Sequence, residues 1–340
     1  MAEDYGLLTY SSMNIGDEIQ SIAASRFLPR IDHYVPREQV DSFRAERRTK
    51  LIMNAWWMWR PKHFPPSPDI DPLLLSVHLR KGAHDRLVTG KAKNYLVEHG
   101  PVGCRDQRTL ELLSEHGIPG YLSGCLTLTL PRDPGVVRRD YVLAVDCPAE
   151  VVAELRRRTR RPVYPLTRIL SVAFTAKQRL DVARLFLRLF QSAHLVVSPC
   201  LHVTLPSLAL GTPVLRIDDG DGDMDAYARF AGIEHLLHTR TVGEFLADPD
   251  AYDLDDPPAN PTAYLAMRED LVRVAAGFTG CDAGDEAAPD DTDPLVRFFE
   301  LLGYDRDIVH RAAWWARPDK LLWITMQLLS RRRSRYDLRY

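Results

Sequence analysis

Ser192-Ala193-His194-Leu195-Val196-Val197-Ser198-Pro199-Cys200-Leu201-His202-Val203-Thr204-Leu205-Pro206-Ser207-Leu208-Ala209-Leu210-Gly211-Thr212-Pro213-Val214 is the stretch that decides the fold. It reads as a buried strand, a polar turn, a short apolar helix and a Gly-Thr-Pro turn into a further strand. His202 stands where the first strand ends and the helix begins. In α/β sheets, ligands gather at the carboxyl ends of strands beside helix N-termini, so an anion is expected near this imidazole.

The same alternation extends outward. Upstream lie a strand at Tyr141 to Val145, a helix at Ala149 to Arg158, a short strand at Val163 to Pro165 and an amphipathic helix at Gln178 to Ser192; Pro213 to Ile217 is the next strand. Before the linker-like Pro131 to Gly135, strands are read at Gly6 to Tyr10, Leu51 to Met53, Leu73 to Leu79 and Val102 to Arg105. Helices are read at Ile19 to Phe27 and Gln107 to His116. Alternating strands and helices predict an α/β chain with mainly parallel sheets. The expected architecture is two Rossmann-like domains in a GT-B-like arrangement, residues 1–135 and 136–280, then an acidic joint and helical tail at 281–340.

Bulk properties exclude several classes. A length of 340 residues suits two domains, and a net charge of −2 argues against a nucleic-acid binder. The five Cys form no CxxC pair, which supports neither a disulfide framework nor a zinc site and points to a reducing compartment. No metal and no cofactor are expected. The alternating Asp219, Asp221, Asp223 and Asp225 have Met224 and Phe230 where a calcium loop needs Gly and Glu. No secretory signal or membrane span is read, so a cytoplasmic location is expected. The basic Arg331-Arg332-Arg333-Ser334-Arg335 is a candidate for peripheral contact with the inner face of a membrane, against the alternative that the tail helices pack back on the domains.

Candidate site residues follow from strand ends. Asn14-Ile15-Gly16-Asp17 lies between a strand and a helix, where glycine lets backbone N–H groups approach a ligand. In Gly103-Cys104-Arg105-Asp106, Asp106 suits a helix N-cap and Arg105 would point into the cleft, able to grip a phosphate or carboxylate with two donors. His78 ends an apolar strand. His202 can donate a proton near neutral pH or hold developing negative charge. Trp56, Trp57 and Trp59 could stack on sugar rings, or belong to the core.

Together these segments resemble the polysaccharide pyruvyltransferase family. The resemblance rests on Asn14-Ile15-Gly16-Asp17, Asn54-Ala55-Trp56-Trp57, Gly103 to Thr109, Tyr121 to Thr129, Leu201-His202 and Gly211-Thr212-Pro213, over roughly residues 5 to 217. It implies a GT-B-type fold and transfer of the pyruvyl group of phosphoenolpyruvate to hydroxyls of a carbohydrate acceptor. On that basis His202 would be the general acid or phosphate clamp and Arg105 the anion grip. Backbone N–H groups from Leu201 to Thr204 would assist, with Asn14, Gly16, Asp17 and His78 lining the substrate site. One departure stands out: the family commonly has Arg-Leu-His where this chain has Cys200-Leu201-His202. The alternatives are a GT-B glycosyltransferase using a nucleotide sugar, or a non-catalytic member that binds a glycan or partner.

Overall fold

A computed structural model describes residues 3–169, 175–218, 220 and 229–284. The first half runs β1 (Asp4–Thr9), α1 (Gly16–Ser25), β2 (His33–Pro36), β3 (Thr49–Ile52), β4 (Trp56–Trp57), β5 (Ile70–Leu73), β6 (His78–Leu79), α2 (His84–Leu87), α3 (Gly90–Glu98), β7 (Val102–Cys104), α4 (Gln107–Glu115) and β8 (Gly120–Leu122). The second half runs β9 (Val142–Val145), α5 (Ala149–Arg158), β10 (Val163–Leu166), α6 (Ala176–Ser192), β11 (Leu195–Ser198), α7 (Leu201–Ala209), β12 (Val214–Asp218), β13 (His238–Thr241), α8 (Val242–Ala247) and α9 (Tyr264–Thr279).

The two main sheets are wholly parallel and share a strand order. The first is β2-β1-β3-β5, the second β10-β9-β11-β12-β13. In each, the chain starts inside, steps one strand to one side and then builds outward on the other. The order therefore reverses between β1 and β3, and again between β9 and β11, and such reversals open crevices at the strand carboxyl ends.

Period-two burial explains how the sheets stack. Along β9 and β11, Leu143, Val145 and Val196 face one apolar cluster, while Val142, Ala144, Leu195 and Val197 face another. In β1, Leu7 joins the cluster that holds Leu143, and Leu8 faces away from it. One helical layer, contributed by α1, α6 and α7, thus lies between both sheets in a core they share. α9 returns the chain to the first half, burying Leu271 and Ala275 in the same core.

Some boundaries differ from the sequence reading. Leu73 to Leu79 is not one strand: β5 ends at Leu73 and β6 starts at His78 in a separate two-stranded sheet with β4, because Ser76 takes a left-handed conformation (φ 57°). α1 starts at Gly16 rather than Ile19, and β7 ends at Cys104, which leaves Arg105 just beyond the strand. Among the described residues, no helix is long and apolar enough to cross a membrane. The acidic joint beyond residue 284, the helical tail with its basic end and most of the Asp219 to Asp225 run lie outside the described residues.

Candidate functional site

The junction between β11 and α7 is built by backbone economy. Ser198 donates its hydroxyl to the Val145 carbonyl (2.8 Å) and accepts the Cys200 N–H (3.1 Å), fastening the turn to the neighbouring strand. Cys200 occupies the N-cap position of α7 without a side-chain capping bond. The N–H groups of Val203 and Thr204 fold back onto the Cys200 carbonyl, so those of Leu201 and His202 are the ones left without an intrahelical acceptor. Leu201 is buried in the shared core. Thr204 is buried as well and spends its hydroxyl on the carbonyls of Cys200 and Leu201. The helix bends at His202 (φ −80°, ψ 17°).

The first half meets this imidazole from two directions. A Cβ on Gly16 would lie 3.1 Å from His202 Cβ and 3.5 Å from its Nδ1, so the opening of α1 can approach only because residue 16 has no side chain. Arg105, fully buried, donates from Nη1 to Gln20 Oε1 and to His202 Nε2, each at 3.3 Å. A guanidinium has only donors, so Nε2 must be the acceptor and the ring proton must sit on Nδ1. Burial, followed by the charges of Arg105, Arg229 and Arg168, holds the His202 pKa well below its ordinary value. His202 is therefore neutral in the free protein.

Next to Arg105, Asp106 closes its own helix. One oxygen accepts the Thr109 N–H (2.9 Å), and the other meets His78 Nδ1 (2.6 Å). Burial lowers the His78 pKa to about 4, overcoming the pull of Asp106, and its Nε2 has no hydrogen-bond partner. Asp106 is held below the usual carboxylate range: burial opposes its ionisation, but His78, Arg105 and the Thr109 N–H outweigh burial.

The Asn14 loop stitches the halves together. Asn14 Oδ1 accepts the Gly16 N–H (2.9 Å), Asn14 pairs with Ile169 across the halves, and the Ile15 N–H reaches the Arg168 carbonyl (2.9 Å). Asp17 accepts from Ser12 (2.7 Å) and lies 3.8 Å from Arg37. Glu18 takes both arms of Arg179 from α6, at 2.5 and 2.9 Å.

The structure thus gathers Arg105, His202 and Gly16 at one point, with Asn14 and Leu201 one step away and His78 behind Asp106. Asp17 faces Arg37 instead, and Thr204 spends both its hydroxyl and its N–H on carbonyls at the start of α7, so it does not join the open donors expected of it. Residues that the sequence reading passed over are Gln20, Arg168, Arg229 and Asp146. Asp146 follows the apolar strand β9 at the order reversal, and with φ 52° it holds Arg168 Nε at 3.0 Å. A polar residue directly after an apolar strand was the available signal. Cys200 Sγ lies 3.8 Å from the same carboxylate.

Three guanidiniums, one of them already paired with Asp146, a neutral imidazole and an uncapped helix end are groups able to receive a small polyanion. Among the described residues, no group of three His, Cys, Asp or Glu side chains is placed to hold a metal ion. A cavity of about 380 Å³ between α9 and the end of β8, lined by Tyr121, Ser123, Met267 and Asp270, does not include Arg105 or His202.

A search of curated proteins finds no match. Among solved structures, an uncharacterized protein, KP1_0663, from Klebsiella pneumoniae subsp. pneumoniae NTUH-K2044 is similar with a TM-score of 0.44 and 13% identity, over 70% of this chain and 92% of that one. The family profile described as polysaccharide pyruvyl transferase matches residues 14–221, a span that opens at Asn14 and takes in Gly16, Arg105 and His202. A match over more than half of the chain decides the matter: this transferase belongs to the polysaccharide pyruvyl transferase family.

Proposed function

We propose that the chain moves the pyruvyl group of phosphoenolpyruvate onto a carbohydrate hydroxyl, with His202 and Arg105 at the donor. The observation that carries this reading is the 3.3 Å contact between Arg105 and His202, set among further guanidiniums at the open end of α7. Phosphoenolpyruvate is a compact trianion. Its phosphate takes the free N–H groups of Leu201 and His202, and Arg105 turns a donor toward its carboxylate or phosphate. The two sheets then act as lobes, residues 1–135 and 136–280, in a GT-B-like arrangement around the donor, with Asn14 and Gly16 closing one wall.

Binding a trianion reverses the local charge. Burial and the nearby cations together keep His202 neutral; once the anion counters the cations and draws Arg105 away from Nε2, the imidazole takes up a proton there, and that proton passes to the methylene carbon of the donor. C2 becomes oxocarbenium-like and an acceptor hydroxyl adds to it, losing its proton. The Asp106–His78 pair offers a lone pair on Nε2 for that proton. A second hydroxyl displaces phosphate to give a ketal, so the diol supplies two protons: one balances the new methyl group and one leaves with phosphate.

The test is incubation with phosphoenolpyruvate and a panel of lipid-linked and nucleotide-linked sugars. Phosphate release is expected, with a product gain of about 70 Da, the mass of a ketal-bound pyruvyl unit formed with proton transfer. Stabilisation by a uridine or guanosine diphosphate sugar, with no effect of phosphoenolpyruvate, would overturn the reading in favour of glycosyl transfer.

A further inference from the structure

The aromatic cluster downstream of β3 divides sharply. Trp57 is core, 1% exposed, with its indole N–H on the Met53 carbonyl. Trp59, two residues on, is 56% exposed and is the one exposed tryptophan among the described residues. Its backbone is not loose: Glu38 accepts the N–H groups of Trp59 (3.3 Å) and Arg60 (2.8 Å), and Arg37 Nε holds Glu38 in turn (2.9 Å). A large apolar ring is thus pinned with more than half of its surface in the open, which costs solvation.

The surroundings of Trp59 are polar. The Arg80 guanidinium lies 4.2 Å from the centre of its ring, and Trp56 meets it edge-on at 4.9 Å. Arg37 sits 4.9 Å from the Trp56 ring. Arg37 is 1% exposed and Trp56 9%, yet neither Arg37 Nη1 nor Trp56 Nε1 has a hydrogen-bond partner. Buried donors are normally satisfied, so Trp56 Nε1, and Arg37 Nη1 with only a 3.8 Å ion pair to Asp17, have hydrogen bonds left to give beside the exposed indole.

The patch is continuous with the reaction centre. Gly16 touches His202, Asp17 follows Gly16, and Arg37 lies 3.8 Å from Asp17 and against Trp56. β4 and β6 run parallel, so Trp59 and Arg80 both leave the sheet at its carboxyl end, and the Arg80 N–H is tied to the Trp57 carbonyl (2.7 Å).

We propose that Trp59, backed by Arg37, Trp56 and Arg80, is a pyranose-stacking subsite that holds a sugar ring of the acceptor beside the donor site. A pyranose has an apolar face of C–H groups and a rim of hydroxyl oxygens. The exposed indole receives the face, and the unspent N–H groups of Arg37 and Trp56 receive oxygens of the rim. The subsite rests on the carbohydrate-acceptor reading above.

The test is titration of the full chain by ligand-observed NMR with four probes: the methyl pyranosides of glucose, galactose, mannose and N-acetylglucosamine. Binding of at least one is expected, weakened about tenfold by Trp59→Ala and largely restored by Trp59→Phe. Phosphoenolpyruvate affinity should stay within about twofold in both variants, because Trp59 takes no part in the proposed donor site. If no probe binds the wild-type chain, or if Trp59→Ala binds them unchanged, the subsite is refuted. Equal weakening of sugar and phosphoenolpyruvate refutes it too, by assigning Trp59 a structural role. Trp59-dependent sugar binding in a chain that ignores phosphoenolpyruvate keeps the subsite and sinks the donor reading. Phosphoenolpyruvate binding with Trp59-independent sugar binding does the reverse.

Discussion

The two strand-to-helix junctions that meet at the site are built alike and finished differently. After β7, Asp106 caps α4 and pairs with His78, so that helix end is saturated by its own chain. After β11, Cys200 makes no capping bond, and the first N–H groups of α7 stay open. The first junction therefore contributes a side chain, Arg105, and the second contributes a binding surface with His202 inside it. On the proposed donor reading, the anion would go to α7, because α4 already holds a carboxylate.

Mutations can break this comparison. His202→Ala and Arg105→Ala should each reduce phosphoenolpyruvate-dependent phosphate release on the order of a hundredfold or more. The double variant should lose far less than the product of the two, because the pair acts as one unit. Fully multiplicative losses in steady-state assays would show that the two junctions work separately.

The closed junction should also have its own pH signature. His78 titrates at about 4 in the folded chain, below its ordinary 6.5, so the unfolded chain binds the extra proton first. The stability this site contributes is then complete above pH 6.5 and is lost as the pH falls toward 4, by about 3 kcal/mol relative to His78→Asn. Denaturant titrations of both chains across that window check the difference; groups elsewhere cancel, apart from Asp106, whose carboxyl loses its imidazole partner in the variant.

A smaller contrast lies in the caps. Asp106→Ala should destabilise by about 2 kcal/mol, through a lost cap and a stranded His78, whereas Cys200→Ala should cost little on the capping count. Cys200→Ser should do the opposite: a new hydroxyl cap on α7 adds about 0.5 kcal/mol of stability and weakens phosphoenolpyruvate binding severalfold, because the cap competes with the anion. Thermal melts and donor titrations read both effects. Unchanged donor affinity in Cys200→Ser would mean that the end of α7 is not where the anion sits.

Much of this was legible locally. The strand, turn and helix from Leu195 to Ala209 follow from an apolar run, Ser-Pro and a renewed apolar run, and α5 occupies the stretch read for it. Residue type and position at a strand end singled out Arg105 and His202. Other features needed three dimensions. α3 escaped notice because only Ala92 and Leu96 of its residues are buried, too thin a stripe to read. The break at Ser76 hid inside an apolar run because a left-handed serine carries no sequence flag. Nor could sequence show that His202 is neutral: its acidity is set first by burial and then by guanidiniums at positions 105, 229 and 168, and only folding supplies either.

The helical layer common to both sheets limits how a substrate enters. Swinging the halves apart would wet the apolar flanks of α1, α6 and α7, and each further 100 Å² uncovered costs about 2.5 kcal/mol. Whole-body opening is thereby suppressed, and on the proposed reading entry to Arg105 and His202 would fall to the short segments beside them. The radius of gyration from small-angle scattering should stay constant as donor is added, while the gating of turnover resides in local chain movements.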